Sequence, residues 1–561
     1  MTSPGRNDPC SCNSGKKFKH CCGAAEAQKA GTMPPEILFK TALMQHKKGE
    51  LKAAESSYRA LLQQVPQHPD TNHNLGALLA LGYQQPQASL PYLRAAVNAA
   101  PNNLQFWISY LEMLVKTGDY ALFWSMLTEA RQHGHTAPRF NQFVGKQFVK
   151  IATAFSRDKN WAATLKTAQH GLSYDDANGH LWHCVGYAYL QLVRYPEATE
   201  ALQKANGLVS DAHLLNHLGV AHLNNGDHAN ARIAFNKAVA LNPELAAAWS
   251  NAAFNEYEAN NIEEADQLSG KALVLDPQSE KANLTRGMVL LRNGELGASK
   301  DHLQIAITSA SQNPQSLHRP SPNPMIVEDA REALVVARRL LLEAGVPFFL
   351  CAGTLLGIIR DGDLLPHDKD MDLGVPAEVD RDKVIAALTA GGEFVLNRPE
   401  TASAENWHWN YSFTHCANHI VMDIFFYHPD DTHFLCGFNA KPHPINSRPR
   451  KFAIGELEWR GLSWPIPSPP EQYLVDVYGE EWKIPDPNFD TALSNRCQTP
   501  GSKPTRVGYG YVKLYEALAA GKWKKARGIC QQVLAISDEP FMADMLAKIS
   551  DHLKALPPEG S

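Results

Sequence analysis

From about residue 35 the chain repeats itself with a period of about 34 residues, and this periodicity restricts its fold more than any other feature. Small residues recur in register: Gly219, Ala253 and Gly287, then Ala231, Ala265 and Ser299, then Ala238, Ala272 and Ala306, with Pro243 and Pro277 closing two units. Earlier units keep the pattern at Gly76, Ala88, Tyr92 and Ala95, and at Gly186, Ala198, Leu202 and Ala205; the first carries Ala54, Tyr58 and Pro66. Large side chains such as Phe235 and Trp249 stand between. Such a period accommodates two helices and their turns. Small residues belong where the helices of a pair cross closely, large ones fill the groove to the next pair, and proline marks the turn between units. One pair cannot bury its apolar face alone, so successive pairs must stack. About eight units fit between residues 35 and 313. Those near 103–173 are degenerate and are expected to be longer or distorted.

This pattern resembles the tetratricopeptide repeat. The resemblance implies an α-solenoid whose concave face binds a protein or peptide; the alternative is a plain spacer. His217, Asn251 and Thr285 hold equivalent positions in three successive units and are expected to offer polar groups to an extended peptide. Ser309–Met325, rich in Pro and Ser, reads as a linker, assigned to residues 314–325. A helix is predicted over Val327–Ala344, with Ala330, Leu334, Ala337 and Leu341 on one face. Residues 508–556 return to helix. Tyr511, Leu514, Ala526, Cys530 and Val533 suggest one repeat-like pair that caps or braces the domain before it.

A second signal lies at Gly353–Asp372, which reads Gly-Thr-Leu-Leu-Gly-Ile-Ile-Arg-Asp-Gly-Asp-Leu-Leu-Pro-His-Asp-Lys-Asp-Met-Asp. A Gly-Thr turn precedes an apolar segment and then three alternate carboxylates, Asp368, Asp370 and Asp372. Alternate residues of a strand share a face. Carboxylates crowded there call for a cation, and Mg²⁺ or Mn²⁺ suits oxygen ligands. A fourth acid, Asp423, sits inside the apolar run Ile-Val-Met-Asp-Ile-Phe-Phe, where burial without a partner is costly. A shared metal would supply that partner.

These motifs resemble the nucleotidyltransferase fold and, within it, the LicD and fukutin-related family. His367 stands where the family carries Trp. Further agreement lies at Ile466-Pro467, Tyr473-Leu474, Tyr478-Gly479, Trp482, Pro485 and Asp490. The resemblance implies a mixed-sheet domain that moves a phosphorylated alcohol, of the phosphocholine or ribitol phosphate kind, from a CDP-linked donor to a sugar hydroxyl of a glycan or glycoconjugate. Asp370, Asp372 and Asp423 would be the catalytic, metal-holding acids. Gly353, Thr354, Arg360 and Asp368 would meet the substrate, Gly353 and Thr354 against a phosphate and Arg360 against phosphate oxygens or, alternatively, in a surface ion pair. Trp407-His408-Trp409 would stack on a nucleobase or fill the core, and Tyr478, Gly479 and Trp482 would define the fold. Two other functional readings stand: a repeat adaptor with an inactive transferase-like domain, and a nucleotidyltransferase acting on a small molecule or protein.

The N-terminal segment carries Cys10, Cys12, Cys21 and Cys22, with His20 as an alternative ligand. Two ligands from a tight turn and two from a return segment close a tetrahedron around Zn²⁺. The pattern resembles the SEC-C motif, which implies a structural zinc site that supplies most of the folding energy of so short a segment. The remaining six cysteines are scattered, as in a reducing compartment. With no apolar leader and no run long enough to span a bilayer, the expected location is cytoplasmic. A net charge of −5 argues against nucleic acid as a partner. The expected architecture is therefore multidomain, α plus α/β: a zinc motif (1–25), a repeat solenoid (35–313), a linker, a nucleotidyltransferase-fold domain (326–500) and short C-terminal helices (507–557).

Overall fold

The structure, a computed structural model, describes residues 12, 14, 16–20, 33–313, 325–397, 409–440 and 442–556. It divides into two compact units, Met1–Leu192 with Glu197–Ser210, and Val193–Pro196 with Asp211–Ser561. Among the described residues, the helices from Pro35 to Gln312 fall into eight consecutive pairs.

The first unit contains α1 (Pro35–Lys47), α2 (Leu51–Gln64), α3 (Pro69–Ala77), α4 (Pro86–Ala99), α5 (Leu104–Lys116), α6 (Tyr120–Gln132), α7 (Pro138–Arg157), α8 (Trp161–Leu172), α9 (Gly179–Gln191) and α10 (Tyr195–Leu208). A π-helical turn, Leu78–Gly82, extends α3. The degenerate stretch is indeed irregular in length, since α7 runs for 20 residues against 12 in α8. Trp107, Tyr110, Phe123, Phe140 and Phe148 fill its core.

The second unit opens with α11 (Ala212–Asn224), α12 (His228–Leu241), α13 (Ala246–Glu258), α14 (Ile262–Leu275), α15 (Glu280–Asn293) and α16 (Leu296–Gln312). The small residues sit where the periodicity requires. A Cβ at Gly219 would fall 2.5 Å from the Phe235 ring, and one at Gly287 2.6 Å from Leu303. A side-chain N–H near the start of a pair's first helix repeatedly donates to a carbonyl in the preceding turn: Trp107 to Pro101, Trp249 to Pro243 and Asn283 to Pro277, at 2.8, 2.8 and 3.0 Å. This bond locks each turn to the helix it introduces.

Two expectations change here. Thr285 does not face a ligand: it is fully buried and its hydroxyl donates to the Lys281 carbonyl at 2.9 Å. Asn251 is also buried; it donates to Asn216 and accepts from Lys281, both at 2.9 Å. The supposed linker starts inside α16, where Ser309 donates to Glu280 at 2.7 Å, and residues 314–324 lie outside the described residues.

The sheet domain follows: α17 (Val327–Glu343), β1 (Phe349–Leu350), α18 (Ala352–Asp361), β2 (Asp370–Pro376), α19 (Arg381–Thr389), β3 (Phe394–Leu396), β4 (Asn410–His415), β5 (Val421–Pro429), β6 (Phe434–Phe438), β7 (Ile445–Ser447), β8 (Ala453–Trp459), β9 (Leu462–Ser468), α20 (Pro470–Tyr478) and α21 (Thr491–Ser494). The mixed 7-stranded sheet has the order β1-β2-β5-β4-β3, with β6 joined to β5 and β7 to β6; β8 and β9 form a separate hairpin. Among the described residues, only β2 and β5 pair in parallel. Leu334, Ala337 and Leu341 of α17 pack into the sheet's core with Leu373, Ile424 and Trp464.

Among the described residues, three helices rather than one pair follow the sheet domain: α22 (Lys503–Ala519), α23 (Trp523–Ile536) and α24 (Pro540–Ala555). They do not merely brace the sheet domain. Tyr511, Leu514 and Val507 share one core with Leu303, Ala306 and Ile307 of α16. Lys300 pairs with the buried Glu539 at 3.0 Å, and Tyr515 donates to Glu280 at 2.9 Å. The sheet domain is thus an insertion between α16 and α22 of one helical stack. On its other side α22 holds the sheet domain through Arg506, which donates to the Ala492 and Leu493 carbonyls at 2.7 and 3.1 Å.

Candidate functional site

The site is built where β2 and β5 run side by side. Parallel pairing sets Asp372 directly opposite Asp423, and antiparallel pairing sets Asp423 opposite Ser412 of β4. Strand β2 begins at Asp370, so Asp370 and Asp372 share a face by alternation, but Asp368 lies in the preceding loop rather than on the strand. Loop and strand nonetheless converge. One carboxylate oxygen each from Asp368, Asp370 and Asp372 lies within 4.8 Å of the others.

The Gly-Thr pair is not a turn. It forms the first turn of α18, and it holds an acid in place. The Gly353 N–H donates to Asp372 Oδ2 at 2.9 Å, while the Asp372 N–H donates to the Thr354 hydroxyl at 2.8 Å. Thr354 is 3% exposed, which makes it a buried link between helix and strand. Gly353 allows the approach: a Cβ there would lie 2.3 Å from Asp368 Oδ2 and 3.2 Å from Asp372 Oδ2. Ala352, just before it, has φ of 42°, a conformation L side chains rarely adopt. Its N–H donates to the Tyr473 hydroxyl at 3.2 Å, and Tyr473 pairs with Tyr427 of β5 at 2.9 Å. A buried tyrosine pair therefore secures the strained entry to α18.

The electrostatics are those of acids lacking a counter-charge. Burial, then Asp370, pushes the Asp368 carboxyl up to about 6. Burial also raises Asp370, with Lys369 opposing. Asp372 is pushed well above its ordinary range by burial and by Asp370, Asp368 and Asp423. Burial, then Asp370, raises Asp423 to about 7. Asp423 Oδ1 is buried and has no hydrogen-bond partner. An orphaned oxygen, hard donors from four carboxylates and a wall without a Cβ fit a divalent cation such as Mg²⁺ or Mn²⁺.

Arg360 points along the same helix but is committed to Asp361 through two bonds of 2.9 Å. The sequence reading missed the placement of Tyr478. Half-buried at the end of α20, its phenol is held protonated by desolvation and by Asp372 and Asp368, with Arg360 opposing. The Tyr-Gly pair was the only available signal. His367 is exposed, and Trp409 packs edge-on to His428 at 5.1 Å; Trp407 and His408 lie outside the described residues. Of the cysteines expected to bind zinc, Cys12 is exposed, while Cys10, Cys21 and Cys22 lie outside the described residues.

Residues 345–468 match the family model "LicD/FKTN/FKRP, nucleotidyltransferase domain". Human "Ribitol-5-phosphate transferase FKTN" is 27% identical over 191 residues, 34% of this chain and 41% of that protein. The mouse protein is similar at 27% over 189 residues, so the chain spans about 40% of the length of these curated relatives. "Protein translocase subunit SecA" of Halothermothrix orenii is 85% identical over 20 residues, 4% of this chain and 2% of that protein. Among solved structures, "Crystal structure of MamA" overlaps 29% of this chain and 95% of its own, at 18% identity and a TM-score of 0.26. In order along the chain, residues 6–24 match the model of the SEC-C motif, residues 212–245 that of the tetratricopeptide repeat and residues 345–468 that of the LicD/FKTN/FKRP nucleotidyltransferase domain, the last match spanning Asp368, Asp370, Asp372 and Asp423.

Proposed function

We propose that the protein is a divalent-metal-dependent transferase that moves a phosphorylated alcohol from a CDP-linked donor to a sugar hydroxyl. The observation that carries this reading is the convergence of Asp368, Asp370 and Asp372, with Asp423 paired in register beside Asp372 and one of its oxygens unpartnered. Asp370, Asp372 and Asp423 would hold the metal, which when bound supplies charge neutralisation to the diphosphate. The acceptor hydroxyl oxygen forms a bond to the phosphorus that bears the alcohol. The bond from that phosphorus to the CMP oxygen breaks, CMP leaves with the electron pair, and the hydroxyl proton passes to Asp423. Phosphoryl transfer is mainly positioning and electrostatics, so the other residues serve those ends. Gly353 and Thr354 fix Asp372, Asp368 adds charge at the loop side, and Arg360 meets phosphate oxygens on release from Asp361.

The N-terminal cysteines Cys10, Cys12, Cys21 and Cys22 would bind a structural zinc ion, and the repeats would recruit a protein partner or the glycoconjugate acceptor in the cytoplasm. Among the described residues no helix is long and apolar enough to cross a membrane. The test is a donor screen with CDP-choline, CDP-ribitol, CDP-glycerol and nucleoside triphosphates, with Mg²⁺ or Mn²⁺. Release of CMP supports the reading. Release of pyrophosphate supports nucleotidyl transfer, and release of neither supports the adaptor.

A further inference from the structure

Asp372 and Asp423 occupy half of a polar row that runs across the sheet. Backbone pairing aligns Asp372 of β2 with Asp423 of β5, and Asp423 with Ser412 of β4. Ser412 is aligned in turn with Asn397, just beyond β3, whose N–H donates to the Ser412 carbonyl at 2.9 Å. Side chains of a strand alternate between faces. Tyr411, Phe413, Met422 and Ile424 turn into the sheet's core, so Ser412, Thr414 and Asp423 share the opposite, half-buried face.

The outer half of the row is joined by hydrogen bonds that run in one direction. The Thr414 hydroxyl donates to Asn397 Oδ1 at 2.8 Å, and Asn397 Nδ2 donates to Ser412 Oγ at 3.1 Å. Ser412 Oγ already receives one proton, and its own single proton is left for a neighbour. Residues paired directly across antiparallel strands have Cβ atoms about 4.5–5.5 Å apart, which puts the Asp423 carboxylate within its reach. A bond from Ser412 favours the charged form of Asp423, against burial and Asp370. Asp423 Oδ1 is buried and has no hydrogen-bond partner, so the Ser412 hydroxyl serves the other oxygen.

The connection is selective. Asn410 stands on the same face of β4, opposite Phe425, and takes no part in it; its side-chain oxygen accepts from the Asn439 N–H at 3.4 Å. Polarity of the face alone therefore does not account for the order of Thr414, Asn397 and Ser412.

We propose that Ser412, oriented by Asn397 and Thr414, is a positioning residue of the acid cluster: it occupies one carboxylate oxygen of Asp423 and so reserves the other, Oδ1, for a divalent cation held with Asp370 and Asp372. The inference rests on the metal-dependent reading above for the cation, and not on the reaction catalysed. Carboxylates that bind metals are themselves held by hydrogen bonds from outer groups. Ser412 and Asn397 act through Asp423 and touch neither metal nor substrate.

The experiment is titration of the full chain with Mn²⁺, read by electron paramagnetic resonance. The forms compared are wild type, Ser412→Ala, Ser412→Thr, Asn397→Leu, Ser412→Ala combined with Asn397→Leu, and Asn410→Ala. Affinity should fall by about tenfold or more in Ser412→Ala, the cost of removing a group that orients a ligand, and by less in Asn397→Leu. Ser412→Thr keeps the hydroxyl and should bind as wild type, as should Asn410→Ala. The combined variant should be no weaker than Ser412→Ala, because residues of one network do not add independently. Equal affinity in wild type and Ser412→Ala, or an equal loss in Asn410→Ala, overturns the proposal and leaves the metal site in place. No Mn²⁺ binding by wild type overturns both. Mn²⁺ affinity that depends on Ser412, in a protein that releases no CMP from any donor, would sink the transferase reading and leave the positioning role standing.

Discussion

Asp372 and Asp423 face each other across β2 and β5, the one parallel strand pair among the described residues, and Asp423 adds to the burial and the neighbouring acids that push Asp372 up. Nothing in the described protein neutralises them, apart from the Gly353 N–H on Asp372 and the Ser412 hydroxyl on Asp423. The arrangement is costly to the fold and useful to a metal, and the predictions follow from that opposition.

Asp370→Asn, Asp372→Asn and Asp423→Asn should each lower turnover by about 10²–10⁴, while thermal stability of the metal-free protein holds or rises as repulsion is relieved. Asp380→Asn is the proper control, because Asp380 caps α19 by accepting from Asp382 and Asn caps as well. Asp363 is not a silent position: it pairs with both Arg331 and Arg460, and its loss should cost stability. Turnover beside melting temperature for all five variants checks this. An Asp370→Asn protein with undiminished turnover would defeat the assignment.

Stability of the metal-free protein should fall as pH rises from about 4 to about 7. Folded Asp368 and Asp423 titrate at about 6 and about 7 against an ordinary value of 3.8. In that window the folded state holds more protons than the unfolded chain, so each rise in pH favours unfolding. Mn²⁺ should remove most of the slope. The readout is the melting temperature of wild type minus that of Asp423→Asn across this range, with chelator and with Mn²⁺. A flat difference in chelator would contradict the prediction.

Gly353→Ala should impair metal binding more than folding. The new Cβ must displace the Asp368 and Asp372 carboxylates, which lie 2.3 and 3.2 Å away. A manganese titration should show affinity reduced by at least about tenfold, the 10–100-fold cost of disturbing groups that orient ligands. Wild-type affinity would mean the acids do not bind metal together.

Removal of residues 1–210 should leave a folded, donor-hydrolysing protein, whereas a cut at 310 should not, because α22 needs α16 to bury Tyr511 and Leu514. The shorter deletion should still slow transfer to a large acceptor. Proteolysis and circular dichroism distinguish the two truncations; equal stability would mean the C-terminal helices do not depend on α16.

Purified protein should hold about one zinc ion per chain, released when Cys10 and Cys12 are replaced by Ser. The helical signal should remain, since the repeats have their own cores. Retention of zinc by the double variant would refute the assignment.

Much of this protein was legible because its signals are local or periodic. The spacing of Gly219, Ala253 and Gly287 sufficed for the helical pairs, since small residues at fixed intervals mark helix crossings wherever they occur. Likewise, Asp370 and Asp372 had to share a face once a strand was granted, and Asp423 in an apolar run had to find a partner. What only the tertiary structure decided is how distant segments meet. It moved Asp368 into a loop and still brought it to the cluster, turned Thr354 from a phosphate contact into a strand anchor, and buried Thr285. It also threaded the sheet domain between α16 and α22, whose side chains share one core. Periodicity fixes which face of an element is apolar, but not which other face will cover it. That choice is made by the summed burial of all the elements, and no single stretch of sequence contains it.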